Sequence, residues 1–230
     1  MPVQVLLVVA YMLLTHCAVV FGSDRLALFA VTLLVLAMVV GPLRRGQRWP
    51  YAVVLACAAV VVIAGTAPWA RIVLFLPPVL VNLGLAWLFG ATLRRGEMPL
   101  IERIVRRLHE RDDIEDPAVW TYARSVTACW TVLFVFNAAV CLGLALVATP
   151  RGLLATIGWP PPFTIPAAYW SVFSNFGCYL LTGILFVCEY QYRRRRFPWQ
   201  PYRNFFDFTR RAIAIAPALL ADLAARAASR

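Results

Sequence analysis

The sequence predicts an all-α, polytopic membrane protein of about six transmembrane helices, with amphipathic helices on its cytoplasmic side. Three observations lead there. The 230 residues are 62% hydrophobic and only 14% charged, whereas soluble domains are roughly half apolar and a quarter charged. The apolar residues fall in six runs, each near the length of about 20 residues that a helix needs to cross a hydrocarbon core of about 30 Å. The 22 basic residues are all arginine, and 19 lie on one side of the alternation of loops against 3 (Arg25, Arg71 and Arg151) on the other. That asymmetry is what the positive-inside rule expects of a chain threading a bilayer.

Composition also excludes several classes. A net charge of +11 would point to nucleic acid in a soluble protein. Here the arginines flank apolar runs, so orientation and contact with anionic lipid headgroups account for them, and nucleic acid is not an expected partner. The absence of lysine reads as the imprint of a GC-rich bacterial genome. Cys17, Cys57, Cys129, Cys141, Cys178 and Cys188 all sit within apolar runs. None has the spacing of a metal site, so unpaired thiols are expected, with no metal and no cofactor.

The expected spans are 3–21, 26–40, 51–66, 72–89, 128–147 and 171–187, within a single transmembrane domain over 1–192. The first run lacks a basic leader and continues into a second apolar run, so it reads as a retained helix and not a secretory signal. Gly22-Ser23-Asp24-Arg25 makes a tight turn in which Ser23 or Asp24 can cap the second helix. Gly41-Pro42 is expected to end that helix. The fourth run contains Pro77-Pro78, which remove two backbone donors and should kink or break it. A packing kink and a broken helix lining a cavity both remain open.

The long loop that follows is structured. Over 98–111, Ile101, Ile104, Val105 and Leu108 recur at helical spacing, with Glu102, Arg103, Arg106, Arg107 and Glu110 on the other face. This is the pattern of an amphipathic helix lying in the headgroup plane. After the acidic Asp112, Asp113, Glu115 and Asp116, the pair Asp116-Pro117 is a good cap and first turn for a helix that runs unbroken into the fifth span. Trp120, Tyr122 and Arg124 then lie at the interface. The outward segment 148–170 holds five prolines, with Trp159, Phe163, Tyr169 and Trp170 suited to an interfacial belt. It reads as a membrane-hugging connector or a lid. Residues 193–230 form a basic tail, amphipathic over 204–228, with Phe205, Phe206, Phe208, Ile213 and Leu219 on its apolar side. Six spans and the arginine bias place both termini in the cytoplasm, so the expected location is a bacterial inner membrane.

Candidate chemistry is sparse. Polar residues inside spans are expensive and face partners or cavities. They are Tyr11, Thr15, His16, Asn82, Asn137, Ser174 and Asn175. Counting from helix ends puts His16 and Ser174/Asn175 at similar depth in the outer third, with Asn82 and Asn137 near the middle. Such residues serve either as interhelical hydrogen-bond glue, at about 1 kcal/mol per contact, or as a ligand or proton site. His16 could shuttle protons, but no carboxylate lies at its depth, which favours a satisfied imidazole. His109 reads as solvated. Glu189, four residues before Arg193, suggests a helical ion pair or a carboxylate at the cytoplasmic mouth beside Tyr190 and Tyr192. No phosphate loop, nucleophile elbow, zinc motif or acyltransferase motif occurs, so no catalytic residue is assigned.

Several blocks carry a resemblance. They are Leu76-Pro77-Pro78 with Asn82, Leu88-Phe89-Gly90 with Thr92-Leu93, Pro99-Leu100-Ile101, Tyr122 with Arg124, Thr127 and Trp130, and Trp170 with Phe173 and Asn175. The most distinctive is Phe186 through Glu189-Tyr190 and Tyr192 to Phe197. Over roughly 76–197 the chain resembles a family of small bacterial inner-membrane proteins encoded in aryl-polyene and xanthomonadin-type pigment clusters, often labelled "ketosynthase". The resemblance implies an accessory role in making, handling or exporting a lipid-attached polyene acyl chain. The ketosynthase label itself does not suit the residues, since ketosynthases are longer soluble folds with a cysteine nucleophile and a histidine pair.

The expected function is therefore a non-catalytic accessory or scaffold. Arg103, Arg106, Arg107, Glu189, Arg193 and Arg194 would form a platform for lipid headgroups and for acidic acyl-carrier or synthase proteins. Two alternatives stand beside it. One is a transporter or channel for a lipid or small metabolite, using Pro77-Pro78, Asn82, His16 and Asn175. The other is an intramembrane acyl- or glycosyl-transfer enzyme using Glu189 or His16.

Overall fold

A computed structural model describes residues 2–64, 72–108, 116–150, 152–197 and, in the tail, 206–207, 209–211, 214–215 and 218. His109, the acidic segment 112–115 and most of the expected amphipathic tail lie outside the described residues. The described chain is all-α apart from one two-residue strand pair. Two helical stretches, Pro117–Val147 (31 residues) and Ala167–Arg196 (30 residues), are long and apolar enough to cross a membrane. The chain divides into two compact units: Met1–Asn82 with Phe136–Leu180, and Leu83–Val135 with Leu181–Arg230.

The first unit opens with α1 (Pro2–Val20) and α2 (Asp24–Arg44). The turn between them is built by Gly22, whose φ of 62° is the left-handed conformation that favours glycine. Gly22 N–H donates to Val19 O (3.3 Å) and Ser23 N–H to Ala18 O (3.0 Å), which satisfies the last carbonyls of α1 as in a Schellman cap. Ser23 then caps α2, its hydroxyl accepting from Leu26 N–H. At the far end of the hairpin, Gln4 Nε2 donates to Ala37 O.

Gly41-Pro42 does not end α2. The helix runs on to Arg44 with Pro42 inside it, and the stop is Gly46, at φ 72°. Its N–H donates to Leu43 O (3.0 Å) and that of Gln47 to Pro42 O (3.2 Å). Proline removes a donor, but a helix ends where its carbonyls find other partners, and after Pro42 the next glycine, Gly46, is the one that turns left-handed. α3 (Trp49–Ala64) packs on α2.

Pro77 and Pro78 likewise do not break α4 (Ile72–Ala91), which is continuous through both. The first part of α4 and the last part of α6 (Pro117–Val147) complete this unit with the outer segment. There β1 (Ala148–Thr149) pairs in parallel with β2 (Ile165–Pro166), Ala148 opposite Ile165, and α7 (Leu153–Thr156) lies between them. Next come α8 (Ala167–Val172), a π-helical turn over Phe173–Gly177, and the start of α9 (Cys178–Arg196). The core gathers Phe75, Ala145, Ala148 and Trp170, with Val19, Leu144 and Leu153 packed around them. Trp170 is thus not an interfacial residue. It lies within α8, 1% exposed, edge-on to Phe75 at 4.6 Å between ring centroids.

In the second unit the core is aromatic. Ala86, Val126, Trp130 and Phe134 pack with Phe89, Ile101 and Phe186, and Trp130 stands 5.7 Å from Phe134 and 6.0 Å from Phe89. α5 (Leu100–Leu108) is held by two threonine hydroxyls that accept its first N–H groups, Thr92 from Leu100 (3.0 Å) and Thr127 from Ile101 (3.3 Å). Its apolar face packs inside the protein: Val105 against Val119 and Phe197, and Leu108 against Tyr190. The expectation of a helix lying in the headgroup plane is corrected accordingly, because the face that would have dipped into lipid is used in intramolecular packing. Asp116 caps α6, its Oδ1 accepting from Ala118 N–H at 2.9 Å.

Candidate functional site

Each unit carries its own polar cluster. In the first, the π turn is the organising element. A π turn widens a helix by one residue and is frequent at functional positions. It shifts the face on which Ser174 and Asn175 lie, and both are buried. One turn earlier, Ser171 meets the imidazole of His16 from α1, Oγ to Nδ1, at 3.0 Å. Asn175 Nδ2 donates to the same Oγ at 3.1 Å, while Ser174 Oγ donates to Ser171 O. The ring of Phe176 closes on His16 edge-to-face at 5.8 Å.

Because the Ser171 oxygen already accepts from Asn175, its hydroxyl proton is available to the imidazole, an arrangement satisfied when Nδ1 is the unprotonated nitrogen. A serine donating to histidine is the geometry of an activated nucleophile. Ser171, however, is fully buried, and no carboxylate contacts His16 among the described residues. The cluster fastens α1 to the π turn through these side-chain hydrogen bonds.

The two mid-depth asparagines behave differently. Asn82 Nδ2 donates to Pro78 O at 2.8 Å, so its amide folds back on its own helix just below the diproline. Asn137 is 0% exposed, and neither its Nδ2 nor its Oδ1 has a partner among the described residues. An orphaned amide is costly, since it keeps the desolvation penalty without the hydrogen bond. Thr15 bonds Tyr11 O within α1.

The second unit pairs ions. Glu189 and Arg193 approach to 3.3 Å with side chains only 8% and 7% exposed. The Tyr122 hydroxyl donates to Glu189 Oε1 at 3.2 Å, and the rings of Tyr192 and Phe197 stand 5.5 Å and 5.4 Å from that of Tyr122. The helical i,i+4 pair that the spacing suggests is present and buried, fixed by a phenol from α6.

Arg103 also departs from expectation. It is buried, Nη2 at 3.1 Å from Glu97 Oε2 and Nε donating to Met98 O at 2.9 Å, so it supports the start of α5 and presents no open charge. Arg106 pairs with Glu102 at 2.9 Å and lays its guanidinium 4.0 Å from the Trp120 ring centre. Arg107 and Arg194 are exposed, and Arg124 Nη2 donates to Leu93 O at 2.6 Å. Among the described residues Glu97, Glu102 and Glu189 thus each pair with an arginine. Arg94, Arg95, Arg194 and Arg195 stay exposed with no acidic partner among the described residues.

Sequence reasoning overlooked Ser171, Glu97 and the pairing role of Tyr122. Ser171 lies four residues before Asn175, one helical turn, which is the signal that could have joined it to the polar group. Nothing in the sequence marks the π turn. Among the described residues no group of three or more metal-binding side chains forms. No protein-family model, curated protein or solved structure matches the chain.

Proposed function

We propose that this chain is an accessory or scaffold protein of a bacterial inner membrane, spanning the bilayer about six times, that serves the synthesis or handling of lipid-attached polyene acyl chains. One observation carries the membrane reading. In the most apolar 18 residues of Pro117–Val147 and of Ala167–Arg196, only 33% and 22% are buried within the protein. A core helix of a soluble protein would be mostly buried, whereas these helices turn Val132, Phe136, Leu180 and Ile184 outward and so need an apolar solvent. α1, α2, α3 and α4, at 19, 21, 16 and 20 residues, are about 24–32 Å long at about 1.5 Å per residue. That suits them to the remaining spans.

The arginine bias supports placing the loops with Arg44, Arg45 and Arg48, with Arg94 to Arg124, and with Arg193 to Arg196 on the cytoplasmic side. Arg94, Arg95, Arg194 and Arg195, exposed and without an acidic partner among the described residues, suit anionic headgroups and acidic carrier or synthase proteins. The acyl-chain assignment rests on the family resemblance over roughly 76–197. The orphaned Asn137 amide favours a second reading, a transporter or channel whose polar cargo meets that group.

Thiol labelling of single-cysteine variants tests topology. Phe163→Cys should be labelled from outside the cell and Arg95→Cys only after permeabilisation; labelling of both from one side would overturn the six-span arrangement. In a deletion strain, membrane lipids should lose acylated polyene while soluble precursors persist. Pull-down of an acyl-carrier protein should weaken when Arg94, Arg95, Arg194 and Arg195 are replaced by Ser. Unchanged pull-down alongside lost lipid export would favour the transporter.

A further inference from the structure

Cys141 on α6 and Cys178 at the start of α9 point their sulfurs at each other, with Sγ atoms 3.5 Å apart in an S–H···S contact. They are 0% and 5% exposed, and Val79 and Phe173 enclose them. Among the described residues no other two thiols meet: Cys17 and Cys57 are half-buried, and Cys129 and Cys188 face outward. Cys178 directly follows the π turn, and Phe173, the first residue of that turn, packs on the pair.

We propose that Cys141 and Cys178 form a dithiol–disulfide modification site that, when oxidised, ties α6 to the helix carrying the π turn. The two S–H bonds break, one S–S bond forms, and two protons and two electrons leave together. Their acceptor is a lipid-soluble oxidant of the quinone class, which takes up both protons and both electrons and becomes the quinol. Nothing lies between the sulfurs, so closing the bond requires them to approach by about 1.5 Å, to the ordinary S–S length of about 2.05 Å.

Two features select this oxidant class. The thiols lie among apolar side chains, a setting that a lipid-soluble oxidant enters at far lower cost than a charged, water-soluble disulfide. Reactants and product are also all neutral, so the reaction strands no charge in an apolar interior. The way in is local opening at the π turn, where the regular helical ladder is already interrupted. Once formed, the bond would be shielded from reductants by the same burial.

The full-length protein in native membranes is treated with decylubiquinone, then denatured and alkylated with a heavy maleimide. The six alkylatable thiols should fall to four, and peptide mapping should join the Cys141 peptide to the Cys178 peptide. Cys141→Ser and Cys178→Ala should each keep all five remaining thiols after the same treatment. Six thiols persisting after treatment, or a lost pair that maps to Cys129 or Cys188, would overturn the proposal. Because the linkage is read on the unmodified sequence, a variant that fails to fold leaves that outcome unaffected.

Discussion

The two units differ in whether they bury charge. In the unit of Met1–Asn82 and Phe136–Leu180, His16, Ser171 and Asn175 meet through side-chain hydrogen bonds, and one amide, Asn137, has no partner among the described residues. The unit of Leu83–Val135 and Leu181–Arg230 also buries neutral hydroxyls, Thr92 and Thr127, but it alone buries charge among the described residues: Glu189 beside Arg193 and Glu97 beside Arg103. A buried ion demands a counter-ion and further hydrogen bonds before the fold tolerates it, whereas a neutral group needs one partner and survives, at a cost, with none. Charge is concentrated in the unit that holds most of the described arginines, and Glu97, Glu102 and Glu189 there each stand beside one of them.

The largest test of that contrast is Glu189→Leu. Removing one half of a buried pair typically costs about 3–5 kcal/mol. The midpoint of detergent-monitored unfolding should fall accordingly, and adding Arg193→Met should restore most of the loss. High salt should leave the wild-type midpoint almost unchanged, because a buried pair is poorly screened. A single variant as stable as wild type would erase the distinction between the units.

Asn137→Leu should act with the opposite sign. Relieving an unsatisfied buried amide is worth about 1–2 kcal/mol, so the variant should unfold later. Earlier unfolding, or stability with lost function, would mean that the amide has a partner in the working protein. Ser171→Ala should cost about 1 kcal/mol, and under the proposed membrane reading a double-mutant cycle with His16→Ala should return a coupling of about 0.6 kcal/mol. The smallest effect belongs to Arg106→Ala. Its pair with Glu102 is exposed, so less than about 1 kcal/mol is expected, with a small rise in Trp120 fluorescence intensity as the guanidinium leaves the ring.

The helices are legible in the sequence because apolar runs of the right length leave a backbone few alternatives, and two caps are legible for equally local reasons. Ser23 and Asp116 each accept an N–H two or three residues on. The departures share a cause. Pro42 and Pro77-Pro78 suggest helix ends when only the lost donor is weighed, but the helices continue because their neighbours keep the remaining bonds. Residue type alone sends Arg103 and Trp170 to a surface, and their fate is decided by Glu97 and Phe75, six and 95 residues away in sequence. The polar residues His16 and Asn175 stand out as costly in an apolar run. That one hydroxyl, Ser171, joins them depends on the π turn, which adds a residue to a helix without a compositional signature.

The sequence by itself determined what depends on neighbours along the chain: helical class, apolar lengths, capped turns, and the asymmetry of arginine between alternate loops. Only the tertiary structure decided which charges are hidden and which are open, that α5 turns its apolar face inward, and that Cys141 meets Cys178. The physical reason is that secondary structure and hydropathy are sums over local residues. Burial, pairing and thiol contact depend on distances between segments that the chain brings together only when it packs.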